Sequence, residues 1–186
     1  MEKIIDTSGS QATKIAITGP ESTGKSTLSA MLAAHYNTKW VPEYAREYLE
    51  ELNQPYSSDD LVKILHGQMK MEDQLIAQAN RLLICDTEPL VVKIWHEVRF
   101  GKDNETIDAI FQHREYGLYL LTDIDIPWTF DPLREHPDKR EYLFNKYLNM
   151  LEHMNKRYII VSGEHGQRMQ TAISAIDKYL KQLTIT

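Results

Sequence analysis

The chain has 186 residues, one cysteine and a net charge of −6, from 21 Lys and Arg against 27 Asp and Glu. That length suits one α/β domain with a real core and is too short for a second of comparable size, and the acidic balance argues against a basic face for nucleic acid. No apolar run approaches the length of about eighteen residues that a membrane span needs, and the start lacks a leader-like stretch. The reading is therefore a soluble cytoplasmic protein with neither membrane nor nucleic-acid partner; nothing in the sequence bears on oligomeric state.

Residues 1–12 are polar and contain Gly and Ser, and they read as a flexible N-terminal tail ahead of a domain over 13–186. The apolar run Ile15 to Thr18 predicts a strand. It is followed at once by Gly19-Pro-Glu-Ser-Thr-Gly24-Lys25-Ser26 and then by helical spacing at Leu28, Met31 and Leu32. A G-x-x-x-x-G-K-S loop between strand and helix is a P-loop. Its glycines let backbone N–H groups point inward, and the helix N-terminus adds partial positive charge where phosphates sit. Lys25 is placed to reach the β and γ phosphates of ATP and Ser26 to ligate Mg2+; the bland alternative is a Gly/Ser turn capping an ordinary helix.

A second strand is predicted at Lys39 to Pro42, followed by Glu43-Tyr44-Ala45-Arg46-Glu47 at the sheet edge where open α/β folds bind ligands. Glu43 is placed to accept a substrate hydroxyl or its proton and Arg46 to hold an anionic or hydroxylated group; equally, Glu43 suits a helix start and Arg46 an i, i+4 pair with Glu50. Helical spacing follows at Tyr44, Tyr48 and Leu52, then at Leu61, Ile64, Leu65, Met69, Glu72 and Ile76. The next strand, Leu82 to Asp86, ends in an acid about sixty residues after the P-loop, where a carboxylate holds magnesium directly or through water; an Asp there also caps turns. Cys85 in this strand reads as a packed thiol.

Beyond it, Trp95, His96 and Arg99 are candidates for an acceptor pocket, with simple core packing the alternative for the tryptophan. A helix is predicted around Ile107, Ile110 and Phe111, and a strand at Leu118 to Thr122. The segment of about residues 123–140, with three prolines and mixed charge, breaks all periodicity and reads as a lid. Its Arg134 and Arg140 are placed to cover a transferring phosphoryl group, or else to balance Glu135, Asp138 and Glu141. Helical spacing at Leu143, Tyr147 and Leu151, a strand at Tyr158 to Val161 and a helix at Ile173, Ile176 and Leu180 complete the chain. Between the last two, Gly163 and Arg168 are adenine-site candidates or parts of a plain turn. Five strands alternating with helices predict an α/β fold, a five-stranded parallel doubly wound sheet flanked by helices. The seven histidines lack metal-ligand spacing.

Gly-Pro-Glu-Ser-Thr-Gly-Lys-Ser, Pro-Glu-Tyr-Ala-Arg-Glu-Tyr, Ile-Cys-Asp-Thr and Asp-Ile-Pro-Trp-x-x-Asp-Pro-Leu-Arg-Glu, with Arg140 beyond, together resemble the ribosylnicotinamide kinase domain of NadR-type proteins, from Lys14 onward. The resemblance implies a P-loop kinase fold and the ATP- and magnesium-dependent phosphorylation of the 5′-hydroxyl of nicotinamide riboside to nicotinamide mononucleotide. It implies phosphate binding along Gly19, Glu21, Ser22, Thr23, Gly24, Lys25, Ser26 and Thr27, and a substrate site around Glu43, Tyr44 and Arg46. It also implies a catalytic or magnesium carboxylate at Asp86 and lid arginines at Arg134 and Arg140. The expectation is the kinase domain without the adenylyltransferase domain or DNA-binding segment of NadR-type proteins. Pro42 stands where that family has an aromatic before the Glu-Tyr-x-Arg-Glu motif, so reaction type is better supported than the acceptor. The rival from another class is a regulatory ATPase or GTPase module in which the lid is a switch; there is no Asn-Lys-x-Asp segment to read guanine.

Overall fold

The computed structural model describes residues 12–185, so the expected N-terminal tail lies almost entirely outside the described residues. Five parallel strands form one sheet: β1 (Thr13–Thr18), β2 (Trp40–Val41), β3 (Leu82–Asp86), β4 (Leu118–Thr122) and β5 (Tyr158–Val161), in the order β2-β3-β1-β4-β5. Seven helices flank it: α1 (Lys25–His35), α2 (Tyr44–Leu52), α3 (Ser58–Leu75), α4 (Pro89–Phe100), α5 (Glu105–His113), α6 (Arg140–His153) and α7 (His165–Ile185).

The sheet is covered on both faces, which is why β1, β3 and β4 are nearly continuous apolar runs. On one face Ile15, Ile17, Ile84 and Leu120 pack against Leu28 and Leu32 of α1 and Ile176 and Leu180 of α7. On the other, Ala16, Leu83, Cys85 and Tyr119 pack against Leu90 and Ile94 of α4 and Leu143, Tyr147 and Leu151 of α6. Cys85 is fully buried, and burial pushes its thiol well above the usual range. A third cluster joins α2, α3, α4 and α5 through Ala45, Leu61, Leu65, Val92 and Ile107.

Register then places chemistry. Ile17 of β1 pairs with Asp86 of β3, so the P-loop and the acid strand end side by side. The expected strand over 39–42 is reduced to Trp40 and Val41, because Pro42 cannot donate to a ladder. Helix α4 is apolar on two sides: Leu90 and Ile94 pack in one core cluster and Val92 in the other. Its start is strongly encoded, with Pro89 in the first turn and the Glu88 carboxylate accepting the Leu90 N–H at 2.7 Å. Helix α3 opens with a reciprocal Ser57/Asp60 capping box. Among the described residues no helix is long and apolar enough to cross a membrane.

Candidate active site

Three loops at the carboxyl ends of β1, β2 and β3 and the 123–139 segment surround one cavity of about 200 Å³. Its floor is the P-loop from Gly19 to Thr27; its walls are Glu43, Ala45, Arg46 and Leu49 of the α2 region and Val91, Ile94, Trp95 and Val98 of α4; Leu133, Arg134 and His136 roof it.

The P-loop conformation requires its glycines. Gly19 has φ 132°, and a Cβ there would sit 2.6 Å from Thr122 Oγ1 and 2.9 Å from the Thr122 carbonyl oxygen. Gly24, at φ 78°, opens α1 from the left-handed region. The Lys25 ammonium donates to the carbonyls of Gly19 (2.9 Å) and Pro20 (2.7 Å). Burial lowers its pKa, opposed by the carboxylates of Glu43, Asp86 and Glu21. Ser26 and Thr27, at the start of α1, are exposed and line the cavity.

Asp86 is only 1% exposed and both of its carboxylate oxygens are buried without a hydrogen-bond partner. Burial pushes its pKa up to about 6; the Ser26 hydroxyl pulls it back, Glu43 adds to the rise, and Lys25 and Arg46 oppose it. A buried carboxylate with no protein partner costs free energy unless a cation or proton meets it. With Ser26 beside it, the donor set fits magnesium bound by one hydroxyl, one carboxylate, phosphates and water. Among the described residues no group of three or more His, Cys, Asp or Glu side chains could hold a metal, so Ser26 and Asp86 are a partial donor set only. Asp86 does not line the cavity, whereas Glu43 does. Thr87, next after Asp86, has φ 74°, a position that costs a β-branched residue on the order of 1–3 kcal/mol.

The lid folds over the P-loop and is held from several sides. Glu21 accepts the backbone N–H groups of Glu135 (3.1 Å) and His136 (3.2 Å). Ser22 Oγ accepts the Thr129 N–H at 2.8 Å and an Arg134 N–H at 3.3 Å. Arg140 donates to the carbonyls of Ile126 (2.9 Å) and Ser22 (3.1 Å). Arg46 meets Asp131 at 2.7 Å and Glu50 at 3.8 Å, so it serves the lid as well as the helix pair. Its hydrogen bond holds the Asp131 carboxyl below the usual range. From the α4 wall, Trp95 Nε1 donates to the Tyr56 hydroxyl at 2.9 Å, which donates to Glu135 Oε2 at 2.8 Å.

The structure thus brings Glu21, Lys25, Ser26, Glu43, Arg46, Trp95 and Arg134 to one cavity and leaves other candidates outside it. The Tyr44 ring turns away and lies against α3, where a Cβ on Gly67 would come within 2.0 Å of it. Arg140 reaches the P-loop backbone but does not line the cavity, and burial lowers its pKa. Arg168, 3% exposed, donates to the carbonyls of Gly163 (2.7 Å), Thr23 (3.0 Å) and Asp123 (3.1 Å) and pairs with Asp125, tying the last loop to the P-loop and the lid. Two contributors carried no sequence motif, Tyr56 and Gln68, and Asp131 stands in the quoted lid motif with no role assigned to it. Only Gln68 left a trace, as a polar residue among the apolar positions of α3.

Strand order, P-loop, acid strand and arginine-bearing lid define a nucleotide-binding protein with the P-loop kinase fold. A protein-family model described as AAA domain matches residues 14–168, and the chain belongs to that family. The chain is 30% identical over 159 residues to the trifunctional NAD biosynthesis/regulator protein NadR of Escherichia coli (strain K12), a match covering 81% of this chain and 38% of that protein. The chain therefore spans well under half the length of that relative. Two crystal structures of NadR protein share the fold. The one in complex with NR has a TM-score of 0.78 at 21% identity, over 91% of this chain and 51% of that one. The one in complex with NAD and AMP-PNP has a TM-score of 0.74 at 22%, over 91% and 50%. Thymidylate kinase from Ehrlichia chaffeensis matches with a TM-score of 0.66 at 14% identity, over 89% of this chain and 98% of that one. The resemblance to NadR-type proteins and the P-loop kinase fold expected from the sequence both hold.

Proposed function

We propose that this protein transfers the γ-phosphoryl group of ATP to a hydroxyl of a nucleoside, nicotinamide riboside giving nicotinamide mononucleotide, as a soluble cytoplasmic enzyme. The observation that carries the reading is the continuity of the cavity: the phosphate loop and a wall bearing Glu43, Arg46 and Trp95 line one space under Arg134. A nucleotide switch has no use for a second compartment beside its phosphates; a kinase needs one for the acceptor. NadR protein crystallised with NR and with AMP-PNP supports both halves of the assignment.

In this reading the P-loop amides and Lys25 hold the β and γ phosphates, and Ser26 and Asp86 hold magnesium. Magnesium held there would neutralise charge on the phosphates. Glu43 orients the acceptor hydroxyl and takes its proton late in a loose transition state, with Asp86 the alternative proton acceptor. Arg134 supplies charge over the transferring group, while Arg140 and the Glu21 contacts keep the lid seated and water out. The apolar flank of Leu49, Val91, Ile94, Trp95 and Val98 suits a planar base.

The test is ATP turnover with and without nicotinamide riboside, with the phosphorylated product identified by mass. A rise of at least about a hundredfold with one nucleoside is expected, since the acceptor completes the site. Slow turnover that no nucleoside accelerates would establish the switch instead.

A further inference from the structure

We propose that Gln68 is a positioning residue for phosphoryl transfer, cross-linking the segment that carries Glu43 to the segment that carries Asp86 so that the two carboxylates keep a fixed spacing. The proposal rests on the kinase reading of the cavity. Gln68 lies in α3 between Leu65 and Met69 and is 1% exposed, in an apolar stripe where a methionine or leucine would pack as well. Its Oε1 accepts the Tyr44 N–H at 2.9 Å, one residue beyond Glu43. Its Nε2 donates to the carbonyl of Asp86 at 3.3 Å and to that of Thr87 at 3.2 Å. The two ends of one buried amide therefore serve two loops from different strands. It does not line the cavity, and both ends are taken by backbone, so it does not read a ligand.

What it holds needs holding. Thr87 sits at φ 74° directly after Asp86, and such a conformation persists in a β-branched residue only where its surroundings over-determine it. Three contacts do so: the Thr87 N–H donates to the Ile17 carbonyl at 3.3 Å, its hydroxyl reaches Glu43 Oε1 at 3.5 Å, and its carbonyl accepts from Gln68. The hydroxyl contact is long, and Glu43 and Asp86 carry charge of one sign, so neither brings the segments together. The β2–β3 pairing ends at Val41 and Cys85, and beyond it the amide bonds to both loops at shorter distances than the Thr87–Glu43 contact; its effect on chemistry follows from geometry, since small displacements of a positioned group cost large factors in rate.

Gln68→Met and Gln68→Glu in the full chain test this, with kinetics on nicotinamide riboside, thermal melting and amide hydrogen exchange. Gln68→Met keeps the volume and removes the cross-link. Its kcat should fall roughly ten- to a hundredfold, with the KM for ATP within about twofold because the P-loop is untouched. Exchange should quicken at least about tenfold at both the Tyr44 and Thr87 amides, which lie on the two loops. Gln68→Glu leaves an oxygen for Tyr44 but sets its other oxygen against the Asp86 and Thr87 carbonyls, so Tyr44 stays protected while Thr87 and kcat are lost. A folded Gln68→Met variant with kcat within twofold of the parent, or with Thr87 still protected, overturns the proposal. If the parent protein phosphorylates no nucleoside, the kinase reading falls, and loss of protection at both amides in Gln68→Met still decides whether the cross-link exists.

Discussion

Asp86→Asn should raise stability while removing activity, and the size of the gain follows from the burial of the carboxylate. Asp86 has both oxygens orphaned in the interior, and its pKa stands at about 6 against an ordinary 3.8. An acid whose folded-state pKa is raised favours folding while it is neutral in both states. That contribution is complete below about pH 4 and is lost as pH climbs through about 6. The shift of about two units corresponds to roughly 3 kcal/mol at about 1.4 kcal/mol per unit, and at 1% exposure little of this is screened. Asparagine removes the charge but keeps a buried polar group, which trims the gain to about 2 kcal/mol. For a chain of this size that is roughly 4–8 °C in Tm. The assay is thermal unfolding of both proteins at pH 8 and pH 4.5 in EDTA without nucleotide. Comparing variant with parent at each pH cancels other titrating groups, including Glu88, which is buried with a pKa of about 7 and titrates in the same direction. The variant should melt higher at pH 8, with the difference mostly gone at pH 4.5, and its kcat should be down at least about a hundredfold. A variant that melts no higher at pH 8, or that keeps its advantage at pH 4.5, refutes the argument that an uncompensated charge sits there.

Two further expectations concern the cations. Lys25→Ala should abolish phosphoryl transfer and leave the melting temperature nearly unchanged, because its ammonium contacts only the P-loop carbonyls of Gly19 and Pro20 and supports no core; near-normal turnover would remove the kinase reading. Arg134→Ala should lower kcat and kcat/KM together by roughly tenfold to a thousandfold, with lysine rescuing only in part, whereas Arg140→Ala, which loosens the lid without removing a charge from the cavity, should lower kcat by less. A raised KM for ATP with kcat intact in Arg134→Ala would make that arginine a binding residue.

The layout of the sheet was open to reading because covered parallel strands leave uninterrupted apolar runs, and each of the five appears where Ile15, Trp40, Leu82, Leu118 and Tyr158 begin or enter it. Helix α4 is masked for a different reason: Leu90 and Ile94 face one cluster and Val92 the other, so its stripe blurs into an apolar run from Leu90 to Ile94 broken only by Lys93. At the site, the P-loop and the acid at the end of β3 declare themselves because their chemistry fixes residue type and spacing. The lid contacts do not, since Glu21 and Arg140 bind main-chain groups and Arg46 finds Asp131 eighty-five residues away. Gln68 was legible only as a polar residue on the wrong face of a helix.

The grip of Glu21 on the lid has a consequence for how such a protein can diverge. The carboxylate takes the N–H groups of residues 135 and 136 and ignores their side chains. The seat on the phosphate loop is therefore indifferent to which side chains stand at 135 and 136, while the Glu135 carboxylate is engaged separately by the Tyr56 hydroxyl. Proline, which has no N–H to offer, is the residue that this arrangement forbids at either position. Seating of the lid and the choice of side chains at its tip are in this way separable.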